Sequence, residues 1–183
     1  MTQLYSTLAN IYHEMLEIAR IEVNTEKFIQ GDMRDLTFHN QFDSVMITGR
    51  SISYVTDNRG IIDTLKGVHK SLKDNGLFVF GVFEVNGIFD NFDDFEKNIQ
   101  HNNKKIRRIS TMKLNLATGW TYDWIAKYII DDGGKIFEFD DLTTLRAFTK
   151  DEIMFFLKLT GFKIEEMIEE NKTITIITKK QLA

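Results

Sequence analysis

Cysteine and proline are both absent from the 183 residues. Without cysteine there are no disulfides, thiolate zinc sites or cysteine nucleophiles, which excludes covalent thiolate attack of the kind used in pyrimidine C5 methylation. The lack of proline, beside many Lys, Ile, Asn and Phe, reads as coding bias and points to no function. Long apolar runs are lacking too: Leu77 to Phe83 is the longest such stretch, against the roughly 20 residues that span a bilayer. Met1 to Arg20 shows no signal-peptide pattern. The expectation is a soluble cytoplasmic protein with no membrane partner. Basic residues are not in excess. A formal net charge of −4 argues against nonspecific binding to nucleic acid or anionic lipid, so a small molecule is the expected partner. With 43% hydrophobic residues the chain can bury a core, and its length predicts one domain, 1–183.

Several chemical signatures are missing as well. No Gly-x-x-x-x-Gly-Lys-Ser/Thr, Gly-x-Ser-x-Gly or Gly-x-Gly-x-x-Gly occurs, which removes P-loop, hydrolase and ordinary dinucleotide sites. His13, His39, His69 and His101 have no paired ligand spacing, so no metal is expected. The acidic run Asp90, Asp93, Asp94 and Glu96 lacks the glycine and terminal glutamate of a calcium loop and reads as a solvated helix face. Lys104, Lys105, Arg107 and Arg108 read as a charged strand end.

Periodicity then supplies the elements. Leu4, Leu8, Ile11, Met15 and Ile18 recur at helical spacing, widened by Tyr12, Leu16 and Ala19, and predict one amphipathic helix. Lys27 to Gln30 and Phe42 to Ile47 predict strands, each feeding a polar, Gly-containing loop. Ile61, Ile62, Leu65, Val68, His69 and Leu72 mark a helix face, with Asn75-Gly76 placed as its C-cap. The continuous run Leu77 to Phe83 predicts a strand buried on both faces of a parallel sheet. Beyond Glu84 the segments Lys105 to Leu116, Trp120 to Asp131 and Lys135 to Phe148 alternate with turns at Ala117-Thr118-Gly119 and Asp132-Gly133-Gly134, predicting an antiparallel meander within an inserted lid, 84–148. Thr149 and Glu152 form a capping-box pattern for a helix to Leu159, which Gly161 ends. Phe162 to Glu169 and Thr173 to Lys179 predict a closing pair of strands.

The ordered series from Phe28 to Phe83 carries the functional signal. It runs as a strand and Gly-Asp-Met-Arg-Asp, then Phe-Asp-Ser-Val-Met-Ile and Gly-Arg-Ser-Ile-Ser-Tyr, then a helix and Leu-Lys-Asp-Asn-Gly-Leu-Phe-Val-Phe. In open α/β sheets ligands bind beyond the carboxyl ends of strands, where Asp32 and the Thr48 to Tyr54 loop fall. This series resembles the class I S-adenosylmethionine-dependent methyltransferases, particularly small-molecule enzymes similar to sugar N,N-dimethyltransferases and glycine or sarcosine methylases, and the resemblance covers most of the chain. It implies an α/β, Rossmann-like sheet with an inserted antiparallel meander. It also implies methyl transfer from S-adenosylmethionine to a small amine or hydroxyl. Such transfer depends on placing donor and acceptor in line in a dry pocket and requires no fixed triad, so no catalytic residue is named.

Carried over by position, Asp32 matches the acceptor for the adenine amino group and Met33 its neighbour against the adenine face. Thr48 and Gly49 match the loop that passes the methionine part of the cofactor. Ser51 and Tyr54 match positions toward the substrate, as do Tyr5 and Tyr12 on the first helix and Arg146 near the end of the meander. The plainer readings are a turn residue for Asp32 and core aromatics for the two tyrosines. One departure stands out. The family's first strand, Gly-rich loop, next helix and second strand should precede Gly31, yet two helix segments resembling their flanks meet at Glu14-Met15-Leu16, as though about fifty residues, somewhat more than a βαβ unit, were excised. A non-enzymatic remnant or assembly module is therefore the alternative. Loss of the middle of the sheet also predicts a homo-oligomer that covers the bared strands. DNA amino-methylase chemistry is disfavoured, since its Pro-Pro-Tyr-type motif needs proline.

Overall fold

A computed structural model describes residues 28–181 except 91, 102 and 103. By its contacts the chain divides into Met1–Asp32 and Met33–Ala183. The helix expected at the start of the chain, with Tyr5, Tyr12 and the Glu14-Met15-Leu16 join, lies outside the described residues. Phe28 to Gln30 forms no strand, a correction to the expected short strand there: apolar alternation alone makes no strand without a neighbour to complete the ladder.

The second unit holds an eight-stranded mixed sheet, ordered β3-β4-β5-β6-β2-β8-β7 with β1 also paired to β2. Its strands are β1 Phe42–Ile47, β2 Leu72–Glu84, β3 Phe95–His101, β4 Lys104–Leu114, β5 Trp120–Asp132, β6 Lys135–Phe148, β7 Phe162–Glu170 and β8 Thr173–Lys180. The helices are α1 Asn58–Ser71, α2 Val85–Phe89 and α3 Lys150–Leu159. The fold is α/β, as the sequence implied.

Helix α1 starts where Asp57 accepts a hydrogen bond from the Gly60 amide at 2.8 Å, an N-cap that satisfies one of the helix's orphan donors. Its apolar stripe, Ile61, Leu65 and Val68, is buried with Phe78, Phe80 and Val82 of β2, Ile174 and Ile176 of β8, and Ile153, Phe156 and Leu157 of α3. Removing each such side chain from water contributes about 1.5 to 3 kcal/mol, and this cluster fixes the helices against one face of the sheet. Asn75-Gly76 does not cap α1, which stops at Ser71. The segment Lys73 to Gly76 instead bulges out where the β1–β2 register jumps between Phe42↔Leu72 and Ser44↔Leu77, and Asn75 takes the left-handed turn at φ 61.

Nor is β2 buried on both faces of a parallel sheet. It runs parallel to β1 but antiparallel to β8, and within the run Leu77 to Phe83 only Phe78, Phe80 and Val82 are buried, while Leu77 is 43% exposed. Because β8 takes one edge of β2 from Leu77 to Phe83, β1 and β6 must share the other. β1 pairs as far as Phe80 and β6 joins only at Phe83 and Glu84. The chain leaving β1 therefore enters the interval between the end of β1 and the end of β6.

The meander is present and has one more strand than expected, since Phe95–His101 pairs along β4. Asp93 and Asp94 are exposed outside any helix, so the acidic run is not a helix face. Register places Ile99, Ile106, Ile130 and Phe137 in one row across β3 to β6, and Arg108, Tyr128 and Phe139 in another on the same face. The opposite face is charged, with ion pairs Arg107–Glu96 and Lys127–Glu138. No helix among the described residues is long and apolar enough to cross a membrane, and no metal-holding group of side chains occurs among them.

Candidate functional site

The chain leaving β1 turns sharply at Thr48-Gly49-Arg50-Ser51. Gly49 and Arg50 have φ 63 and 59, and the Ser51 amide donates to the Thr48 carbonyl at 3.2 Å, the geometry of a mirror-image tight turn. Ser51 Oγ donates to the same carbonyl at 2.8 Å. A single 3-10 turn follows, Ser51–Tyr54, held by the Ser53 amide bonding Arg50 O at 2.9 Å. Ile52 and Ser53 are fully buried, and Ser53 Oγ accepts from the Phe83 amide at 3.3 Å. That bond ties the turn to the last residues of β2.

On the sheet side, Phe83, Phe89 and Phe92 each pack edge to face on Tyr122, Phe89 and Phe92 stack on each other, and Trp120 lies against Phe89. Val85, Ile88, Leu145 and Ala147 complete this second core cluster. Tyr122 lies on β5 of the meander; burial pushes its phenol well up, Tyr54 adds to the shift and Arg50 opposes it. The phenol is thus within electrostatic reach of both loop side chains and stays protonated at neutral pH. Arg50 extends across the strand, its guanidinium carbon 5.0 Å from the Phe83 ring centre. The arrangement is a polar turn facing an aromatic wall, suited to orienting a small molecule rather than to nucleophilic chemistry.

Of the residues expected from the sequence, the structure brings Thr48, Gly49, Ser51 and Tyr54 together on this one turn. Met33 belongs to the second unit and is partly buried against the main core. Asp32 is the last residue of the first unit and is exposed. Arg146 is 1% exposed, and its guanidinium is taken up within the protein: it donates to Thr56 O at 3.1 Å, to Asn58 Oδ1 at 2.7 Å and to Glu152 Oε1. It also lies over the Phe148 and Phe156 rings. A Cβ at Gly119, whose φ is +58, would come within 3.0 Å of its Nη2. Arg146 therefore ties the loop before α1, the start of α3 and the β4–β5 turn together. Glu152 is diverted by this contact: Thr149 Oγ1 accepts from the Glu152 amide at 3.2 Å, but the carboxylate goes to Arg146. Sequence reasoning passed over Arg50, Phe83 and Tyr122. The one local signal for Arg50 was a long cation directly after the loop glycine.

Comparison with known proteins accords with this geometry. The family model described as "Methyltransferase domain" matches residues 3–80. A curated Bacillus subtilis (strain 168) protein named "Putative methyltransferase YqeM" is 27% identical over 173 residues, covering 86% of this chain and 64% of that protein; the chain thus spans slightly less than two thirds of it. Among solved structures, an S-adenosylmethionine-dependent methyltransferase from Clostridium acetobutylicum ATCC 824 has TM-score 0.74 at 17% identity, covering 91% of this chain and 70% of its own. The amino pentose methyltransferase CalS10 from Micromonospora echinaspora, solved with S-adenosylmethionine bound, also has TM-score 0.74, at 16% identity over 92% of this chain and 70% of its own. Family model, curated relative and fold point the same way: over the residues matched, the chain is similar to methyltransferases, and its fold is like that of S-adenosylmethionine-dependent ones.

Proposed function

We propose that the chain serves S-adenosylmethionine-dependent methyl transfer to a small molecule, with an amine or hydroxyl as the receiving nucleophile, in the cytoplasm. The observation that carries this reading is the Thr48–Tyr54 turn set at the adjoining carboxyl ends of β1 and β2, where an α/β sheet binds ligands. Amino-sugar methylation by the structural neighbour CalS10 supports a small, polar acceptor. The residues suit the cofactor in part: Gly49 has nothing nearer than 3.8 Å to a hypothetical Cβ, which leaves room beside the turn, and Met33 offers an apolar side chain at the edge of the core. Bound S-adenosylmethionine would supply the electrophilic methyl group. The chain's own residues would hold and desolvate the acceptor: Tyr122 as a neutral hydrogen-bonding phenol, Tyr54 and Ser51 at the mouth, and the aromatic wall excluding water.

The alternative, a cofactor-free remnant or assembly module, draws support from the missing Gly-rich loop. Each hydrogen bond lost with that loop is worth roughly 0.5 to 3 kcal/mol, so the 183-residue chain is expected to hold S-adenosylmethionine weakly, far above low-micromolar dissociation constants. Calorimetry and transfer of a labelled methyl group to amino sugars test the two readings. Weak cofactor binding, reduced further by Asp32→Ala, supports the methyltransferase reading. Complete absence of binding at millimolar cofactor favours the remnant.

A further inference from the structure

Arg50 is conspicuous on three counts. A non-glycine residue in the left-handed region carries a backbone cost, and arginine has no side-chain acceptor to offset it locally, as Asn or Asp would. Yet Arg50 sits there at φ 59, immediately after Gly49 at φ 63. Second, its stem is seated against β2: a Cβ on Gly81 would stand in ordinary van der Waals contact with it, 3.5 Å from Arg50 Cγ. Third, its guanidinium rests on the Phe83 ring. Aromatic stacking of this kind fixes the plane of the fork without consuming its hydrogen-bond donors. No carboxylate among the described residues pairs with it, whereas Arg59 and Arg107 are matched to Asp63 and Glu96. The result is an exposed, oriented, five-donor cation at the mouth of the candidate site, flanked by Tyr54 and the phenol end of Tyr122.

We propose that Arg50 is the anchor for an oxyanion, a carboxylate or phosphate on a ligand that enters at the carboxyl ends of β1 and β2, gripped by the guanidinium fork held over Phe83. Planar forks recognise such groups bidentately. The oxyanion has two possible sources, the amino-acid end of S-adenosylmethionine or an acidic group on the methyl acceptor, and the proposal depends on the function proposed above only for the choice between them.

The test follows the Arg50 side-chain Nε–Hε signal by NMR, assigned by its loss in Arg50→Gln, with Arg59 as internal control. Inorganic phosphate, S-adenosylhomocysteine and 5′-methylthioadenosine are the probes, the last lacking the amino-acid end. Phosphate is expected to move the Arg50 signal saturably and Arg59 much less. The effect should weaken by about tenfold or more in Arg50→Gln and in Arg50→Gly, the latter also relieving the backbone and so folding at least as well. If S-adenosylhomocysteine moves the signal, 5′-methylthioadenosine does not, and Arg50→Gly lowers S-adenosylhomocysteine affinity, the cofactor carboxylate is the source. If S-adenosylhomocysteine binds without moving the signal while phosphate moves it, the anion belongs to the acceptor. Phosphate binding at Arg50 with no S-adenosylhomocysteine binding anywhere sustains the anion site and defeats the methyltransferase reading. Equal responses of Arg50 and Arg59, or unchanged phosphate binding in well-folded Arg50→Gly, overturn the proposal.

Discussion

Two arginines define the residue scale, and they divide the labour of the site. Arg50 is exposed and stacked, while Arg146 is interior and occupied on both of its terminal nitrogens. Neither role was legible in the sequence. A buried arginine is defined by partners at positions 56, 58 and 152, which no local pattern connects to 146. Removing one member of a buried, hydrogen-bonded pair leaves the other charge uncompensated. Arg146→Ala is therefore expected to cost roughly 3 to 5 kcal/mol, read as a lowered midpoint in urea unfolding. Arg146→Lys should recover only part of this, because an ammonium cannot reproduce the fork. A loss below about 0.5 kcal/mol would place Arg146 among ordinary surface residues and contradict the clamp.

Among the elements, α1, β1, β7, β8 and most of the meander were readable because their periods and turns are local. Ile61, Leu65 and Val68 fall on one helical stripe, and Gly133-Gly134, at φ 63 and 93, mark the β5–β6 turn with the Gly134 amide bonded to Asp131 at 2.7 Å. The bulge at Lys73–Gly76 and the strand Phe95–His101 were not readable, because each depends on register with a neighbour. Where α1 meets β7 a titratable group sets a pH response. His69 stacks edge-on against Phe162 at 5.3 Å, and a Cβ on Gly161 would come within 3.0 Å of its Nε2. Burial lowers the His69 pKa below 6.5, helped by Lys180 and opposed by the nearby backbone of Gln181 and Gly161. With the folded pKa depressed, the unfolded chain binds the proton more readily. The stability tied to neutral His69 is thus present above about pH 6.5 and is lost as pH falls through the folded value. Chemical denaturation between pH 7.5 and 5 should show falling stability in the native chain and a flatter profile in His69→Leu. Parallel profiles would contradict the assignment.

For the whole molecule, the class of fold was legible because its signature lies in the order of strands and loops from Phe28 to Phe83, whereas the state of assembly was expected from what the sheet would lack. On the apolar face of the meander Ile99 and Phe137 are 45% and 53% exposed, and Tyr128 stacks on Phe139 at 4.7 Å; β1, among the described residues, pairs with β2 alone. Exposed apolar rows and open strand edges favour self-association. A dimer or larger species is expected in light scattering at micromolar concentration, with a stable monomer as the contrary result. The central claim, that a methyltransferase-type cofactor site sits at the carboxyl ends of β1 and β2, is tested most directly by titrating the 15N-labelled chain with S-adenosylhomocysteine and following backbone amides. Perturbations concentrated at Met33, Thr48–Tyr54 and Phe83 are predicted even for weak binding. Shifts confined to the far end of the meander around Ile99 and Phe137, or none at millimolar ligand, would contradict it.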